Sequence, residues 1–294
     1  MALPNFVKQQ SILKRILVPT DFSDNALKAA FYSLEIARKN GAEIYFVHVV
    51  EPADLKIHQP LPLDETNKDW MFKLKEFVKP LSKSYHENKT KIKLLNGDPV
   101  NAICRFCVDK QIDLIVMGTK GASGLKEAVI GSVTSNCMAR SLTPVLAVPQ
   151  AYPLEEPDAI LFATNHFERD AESLDKLIEI ARLFSATIHV AVFENTDLIQ
   201  SAIHNQNEEE LNSYVEFLRC KFPYVSFRGE IISGTNFENA VKSYEIEHQV
   251  DMIAMITYPK SFADNVLGKS TSRRMSLHSR IPLLVIHNNC SVKV

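Results

Sequence analysis

The chain has 294 residues, of which 46% are hydrophobic and 23% charged, with a net charge of -2. That is enough chain for about two domains of ordinary globular composition, and no excess of Lys and Arg is present to neutralise phosphates, which argues against a general nucleic-acid binder. No apolar run approaches the roughly 18 residues of a membrane span.

Taken in order, Arg15, Ile16, Leu17 and Val18 predict a first strand that ends at Pro19, Thr20 and Asp21, after which Ser23 or Asp24 can cap a helix. Ala26, Ala29, Ala30, Leu34 and Ala37 keep helical spacing as far as Gly41. Residues 44–50 predict a second buried strand, and residues 52–62, with three prolines, a loop. A helix over 69–86, a strand over 91–95 and a helix opened by Asp98 and Pro99 follow. Leu114, Ile115, Val116 and Met117 then form a continuous apolar run, the pattern of a strand buried on both faces of a parallel sheet. A short strand over 144–149 closes this half. Strands alternating with helices imply right-handed crossovers and a sheet covered on both faces, with ligands at the carboxyl ends of the strands.

The fourth strand delivers a glycine-rich stretch. Gly118, Gly121, Gly131 and Ser132 fall as G-x2-G-x9-G-S, and Val133 and Thr134 lead into the helical segment SNCMARSL. Glycines at a strand exit permit positive φ and let a ligand approach the main chain with no Cβ in the way. Gly131 and Ser132 open a helix whose unpaired N–H groups and positive dipole end suit an anion such as phosphate. The spacing alone is a weak signal; its place between a strand and a helix is what a phosphate loop requires. The competing reading is a connection that uses glycine for turns and binds nothing. Lys120 and Lys126, in or beside the loop, could screen phosphate charge, although lysines there are more often simply solvated.

The second half repeats the first. RILVPTDF at 15–22 aligns with AILFATNH at 159–166, and LEIAR at 34–38 with IEIAR at 178–182, both at a shift of 144. DLIVM at 113–117 aligns with DMIAM at 251–255, and TPVLAV at 143–148 with IPLLVI at 281–286, both at a shift of 138. One α/β unit is thus duplicated with a shorter middle, and AYPLEEP at 151–157 reads as the linker between domains at 1–150 and 151–294. The copies differ where chemistry is expected: Gly118 becomes Ile256, Gly121 becomes Pro259 and Asp21 becomes Asn165, with only the third glycine kept, as Gly268. A β-branched residue and a proline cannot supply the same turn or close approach.

These residues resemble the universal stress proteins in their tandem, two-domain arrangement. The resemblance rests on ILVPTDFS at 16–23, HVV at 48–50 and MGTKGASGLKEAVIGSVT at 117–134, which follows the family's ATP-binding pattern without a gap. It implies two tandem Rossmann-like (adenine-nucleotide alpha-hydrolase-like) open parallel five-stranded sheets with helices on both faces. It also implies that Asp21 and the backbone at Val49 hold adenosine, that Gly118, Gly121, Gly131, Ser132, Val133 and Thr134 line the phosphate site beside Met117, and that Pro19 and Thr20 shape the wall. Asp21 has a simpler reading beside this one, as one of three candidate caps in PTDFSDN.

Other patterns carry less. ADNVLGKS at 263–270 fits a relaxed P-loop, but the glycine for its first tight turn is missing and no strand with a terminal Asp follows to hold magnesium; Gly268, Lys269 and Ser270 could still seat a small anion. Cys104 and Cys107 sit inside a helical pattern, which favours core packing over redox chemistry, and the five cysteines Cys104, Cys107, Cys137, Cys220 and Cys290 are odd in number and scattered, as reduced thiols are. The nine histidines form no HExxH, no G-x-S-x-G nucleophile elbow exists, and His48 reads as a wall residue. The first residues, MALPNFVKQQSILKR, lack the apolar core of a signal peptide, so the expected location is cytoplasmic.

The glycine loop suits an anion, and the resemblance implies that this is a nucleotide held as a ligand rather than turned over by an enzyme. On that reading the first domain takes ATP, or ADP or AMP, with magnesium entering only through the phosphates, and neither a membrane nor nucleic acid is a partner. The two halves are expected to pack through residues 145–148 and 283–286 about a pseudo-twofold axis, and a homodimer is compatible with this arrangement. The alternatives are a nucleotide-free interaction scaffold and a slow ATPase. The second half is expected to keep a crevice without the triphosphate cradle.

Overall fold

The computed structural model describes residues 13–51, 63–82, 89–119, 131–164, 167–197, 201–257 and 280–288. The first half runs β1 (Arg15–Pro19), α1 (Asp24–Asn40), β2 (Glu43–Val50), α2 (Leu63–Ser82), β3 (Thr90–Asn96), α3 (Pro99–Lys110), β4 (Leu114–Gly118), α4 (Ser132–Arg140) and β5 (Val145–Val148). The second runs β6 (Ala159–Ala163), α5 (Ala171–Phe184), β7 (Thr187–Asn195), α6 (Ser201–Lys221), β8 (Phe227–Gly234), α7 (Phe237–Glu247), β9 (Met252–Thr257) and β10 (Leu283–His287).

Local chemistry accounts for most boundaries. Ser23 accepts a hydrogen bond from the Ala26 N–H at 3.2 Å and so caps α1, which ends at Gly41 in the left-handed region at φ 73°. Asp98 accepts from the Asn101 N–H at 2.9 Å, and Pro99 occupies the first turn of α3. The second helix begins at Leu63, ahead of the predicted Asp69. The polar run Asp64, Glu65, Thr66 and Asn67 reads as loop when only apolar spacing is followed. The tail of that prediction, 83–86, lies outside the described residues.

The two expected five-stranded sheets join through their last strands, residues 145–148 and 283–286, into one continuous ten-stranded sheet, in the order β3-β2-β1-β4-β5-β10-β9-β6-β7-β8. Read outward from the middle, both halves give the same order. Every pairing is parallel except the central one, where β10 runs antiparallel to β5 with Leu283 opposite Ala147, Leu284 opposite Leu146 and Val285 opposite Val145. These are short, wholly buried apolar strands, and each covers the edge the other would expose. Fully burying one such leucine or valine is worth about 1.5–3 kcal/mol.

A pair of aspartates fixes the amino ends of β1 and β6. Asp113 accepts from the Lys14 and Arg15 N–H groups at 2.8 and 2.9 Å, and Asp251, its counterpart at the shift of 138, accepts from those of Asp158 and Ala159 at 2.9 and 3.0 Å. Helix α1 packs on α2 and α3 on α4. Cys107 and Cys137 are buried in this packing, and burial pushes the Cys107 thiol up to about 12, a packing role rather than a redox one. None of the described helices is long and apolar enough to cross a membrane.

Candidate functional site

The strand order reverses between β1 and β4, and the carboxyl ends of the strands at such a reversal are where open parallel sheets take their ligands. Pro19 ends β1. Thr20 is buried and fully engaged: its N–H donates to the Val47 carbonyl at 2.8 Å, its hydroxyl accepts from the Phe22 N–H at 2.9 Å, and its carbonyl meets Nδ1 of His48 at 2.8 Å. Asp21 is exposed, and its carboxylate accepts from the Ser23 N–H at 3.1 Å, so Ser23 rather than Asp21 is the helix cap. Val49 lies next to the last residue of β2, half-buried. Met117 is buried at the end of β4.

Gly118 departs from expectation. Neither it nor Gly131 is among the residues with positive φ, and Gly131 sits at φ -57°, ψ 148°. What Gly118 requires is space: a Cβ there would lie 2.8 Å from the Asn25 amide nitrogen and 2.9 Å from the Asn25 carbonyl oxygen. Its lack of a side chain lets α1 approach β4. Gly121, Lys120 and Lys126 lie outside the described residues.

The start of α4 is tied back to β4 twice. The Gly131 N–H donates to the Thr119 carbonyl at 2.7 Å, and the buried Thr134 hydroxyl donates to the Gly118 carbonyl at 2.8 Å. Thr134 therefore holds the start of the helix against the end of β4. Gly131 offers no side-chain cap. The first N–H groups of α4, at the exposed Ser132 and half-buried Val133, thus stand beside the end of β4, and among the described residues no side chain caps them.

An aromatic wall escaped the sequence reading. Phe22 adopts φ 66°, a strained value for a bulky residue, and its ring lies 4.4 Å from that of His48 and parallel to Trp70 at 6.0 Å. The His48 and Trp70 rings are 4.7 Å apart, and Lys73 Nζ lies 4.3 Å from the Trp70 ring centre. His48 is buried, packed between these rings and held by its Nδ1 contact with the Thr20 carbonyl. The lone tryptophan, set on the apolar stripe with Leu74, Phe77 and Leu81, was the available signal.

The corresponding strand ends of the second half keep the frame. The Thr164 N–H donates to the Ala191 carbonyl at 2.9 Å, and Phe167 takes φ 44°. Polar groups are buried in this half. Buried Glu194 accepts from Asn207 Nδ2 and meets His204 Nδ1, both at 2.8 Å. Buried Glu168 accepts from the Asp170 N–H at 2.6 Å and from the Asn288 amide. Burial works to raise the Glu194 carboxyl, but hydrogen bonds from His204 and Asn207 outweigh it and hold the group below the ordinary range; the same contact raises His204. Ile256, which replaces Gly118, is half-buried in β9 against the core, while Asn165, His166 and the stretch from Tyr258 to Ser270, with Pro259 and Gly268, lie outside the described residues.

Comparison with known proteins places the first half. A sequence model described as "Universal stress protein family" matches residues 13–149. A universal stress protein of Methanocaldococcus jannaschii is 36% identical over 145 residues, covering 47% of this chain and 84% of its own. A second from the same organism is 29% identical over 152 residues, covering 46% of this chain and 94% of its own. The crystal structure of a universal stress protein from Archaeoglobus fulgidus superposes with a TM-score of 0.72, over 95% of this chain and 99% of its own, at 20% identity, a likeness of fold.

Proposed function

Because the chain belongs to the universal stress protein family, we propose that its first half holds one adenine nucleotide, ATP or the related ADP or AMP, at the carboxyl edge of β1, β2 and β4. Asp21 and the backbone at Val49 take the adenosine. Pro19, Thr20 and Met117 form the wall, and Gly118, Gly121, Gly131, Ser132, Val133 and Thr134 surround the phosphates, through which magnesium enters. The carrying observation is the start of α4: uncapped N–H groups held against the end of β4 by the Thr134–Gly118 and Gly131–Thr119 hydrogen bonds. The nucleotide is read as a ligand that sets the protein's state rather than as a substrate turned over quickly. The reading extends to two tandem domains, 1–150 and 151–294, in a cytoplasmic regulatory protein. The second domain supports the first, since Ile256 stands where Gly118 is needed.

Calorimetric titration with ATP tests it, and one site per chain is expected. Gly131→Val should remove binding and leave the fold intact, because φ -57°, ψ 148° is open to valine while its branches would fill the space beside the phosphates. Two equivalent sites, or wild-type affinity in this variant, would overturn the assignment.

A further inference from the structure

The carbonyls in the last turn of a helix have no partners within the helix. In α4 the Cys137 carbonyl is met by the Ser141 N–H at 2.9 Å. The Met138 carbonyl is met from the other half of the molecule: Nε2 of His287, the last residue of β10, lies 2.7 Å away. His287 is 9% exposed, and its Nδ1 lies 3.1 Å from the Thr257 hydroxyl oxygen on β9. With its proton on Nε2, the neutral ring donates to Met138 and accepts from Thr257, so both nitrogens are satisfied. Burial lowers the basicity of this imidazole, which favours that form. The contact runs one way. At the shift of 138, the counterpart of His287 is Pro149, which has neither a side-chain donor nor an N–H.

We propose that His287 is a positioning residue for the anion-binding turn of α4: the second half caps, at 2.7 Å, the C-terminal turn of the helix whose first turn seats the phosphates in the first half. Helix α4 has nine residues, about 13 Å. The Thr134 hydroxyl fixes its start to β4, and His287 fixes its end to β10. A helix this short moves as one body. Releasing the far end lets it pivot about Thr134, and a seat of backbone N–H groups loses its ligand geometry within about half an ångström. The consequence for ligand affinity rests on the nucleotide reading above; the positioning itself does not.

Hydrogen–deuterium exchange on the full chain without nucleotide separates the two. His287→Met fills the site without a donor, and His287→Gln restores one. In H287M the amides of Ser135, Asn136 and Cys137 should exchange about ten times faster than in wild type, and in H287Q within about twofold of it, as expected when a buried acceptor loses or keeps its partner. ATP affinity should fall about five- to tenfold in H287M and recover in H287Q. Unchanged exchange at Ser135 to Cys137 in H287M, or acceleration confined to residues after Met138, overturns the proposal whatever ATP does. Should H287M fail to fold, Thr257→Val frees the ring while leaving its donor; about threefold faster exchange is expected, and no change overturns the proposal. If wild type binds no ATP, the nucleotide reading fails while the exchange comparison still decides the role of His287.

Discussion

The two halves share a backbone frame at the ends of their strands and differ in what surrounds it. Each has a threonine after its first strand that donates to the second strand, and a phenylalanine with positive φ behind it. In the first half, His48 and Trp70 stand over that phenylalanine. In the second, Val192 and Asn207 hold the matching positions, at shifts of 144 and 137, and Glu194 replaces Val50. In the first half no described side chain caps the start of α4, whereas in the second Glu194, His204 and Asn207 satisfy one another. The two halves thus share the hydrogen bonds that tie the first strand to the second and differ in the side chains around them.

The largest effect expected from breaking this contrast follows from Gly118→Ile, which gives the first half the residue of the second. Its Cβ would meet both the side chain and the backbone of Asn25 below 3 Å. Overpacking at a buried helix–strand contact costs about 3 kcal/mol, read as a lowered urea midpoint. An unchanged midpoint would mean that α1 can withdraw from β4 freely, and that glycine is there for the ligand alone.

That position also marks the limit of what the sequence disclosed. The strands were legible because Leu114 to Met117 and Val145 to Val148 are continuous apolar runs, which only a doubly covered strand explains. The caps Ser23 and Asp98 were legible because capping is local chemistry. The reason for Gly118 was not, since its neighbour Asn25 lies 93 positions away in sequence and only the fold brings the two together. The second-half cluster was hidden similarly: Glu194, His204 and Asn207 look like solvated polar residues until β7 and the start of α6 bury the carboxylate. Fusion of the two sheets was implied by the apolar edges of β5 and β10, although the sequence alone does not distinguish one ten-stranded sheet from two stacked ones.

A smaller effect is expected from Asn207→Leu, which moves the second wall toward the apolar character of the first. Glu194 would lose one of its two side-chain donors while remaining buried. Depriving a buried carboxylate of such a partner costs about 2 kcal/mol, again visible in the urea midpoint, and Asn207→Asp should cost more by bringing a second negative charge against Glu194. A stabilised leucine variant would mean that the cluster is dispensable to the fold and that its polar groups are retained for a ligand.

The smallest effect is a matter of sign. His204 is raised by its hydrogen bond to Glu194, so its contribution to stability is complete below the unfolded value of about 6.5 and is lost as pH rises through the folded value. His287 is lowered by burial, so its contribution is present above about 6.5 and is lost as pH falls through that window. The His204 contribution is small because the ring is largely exposed and water screens the pair. The two histidines should therefore tilt stability in opposite directions across neutrality. Ring-proton NMR titration should place His204 above about 6.5 and His287 below it. In parallel, the midpoint difference between wild type and His204→Ala should shrink from pH 5.5 to pH 8.5, while that for His287→Met should grow. If His204 titrates at or below the free value, its pairing with Glu194 does not hold the second half, and the contrast drawn between the two halves loses its electrostatic part.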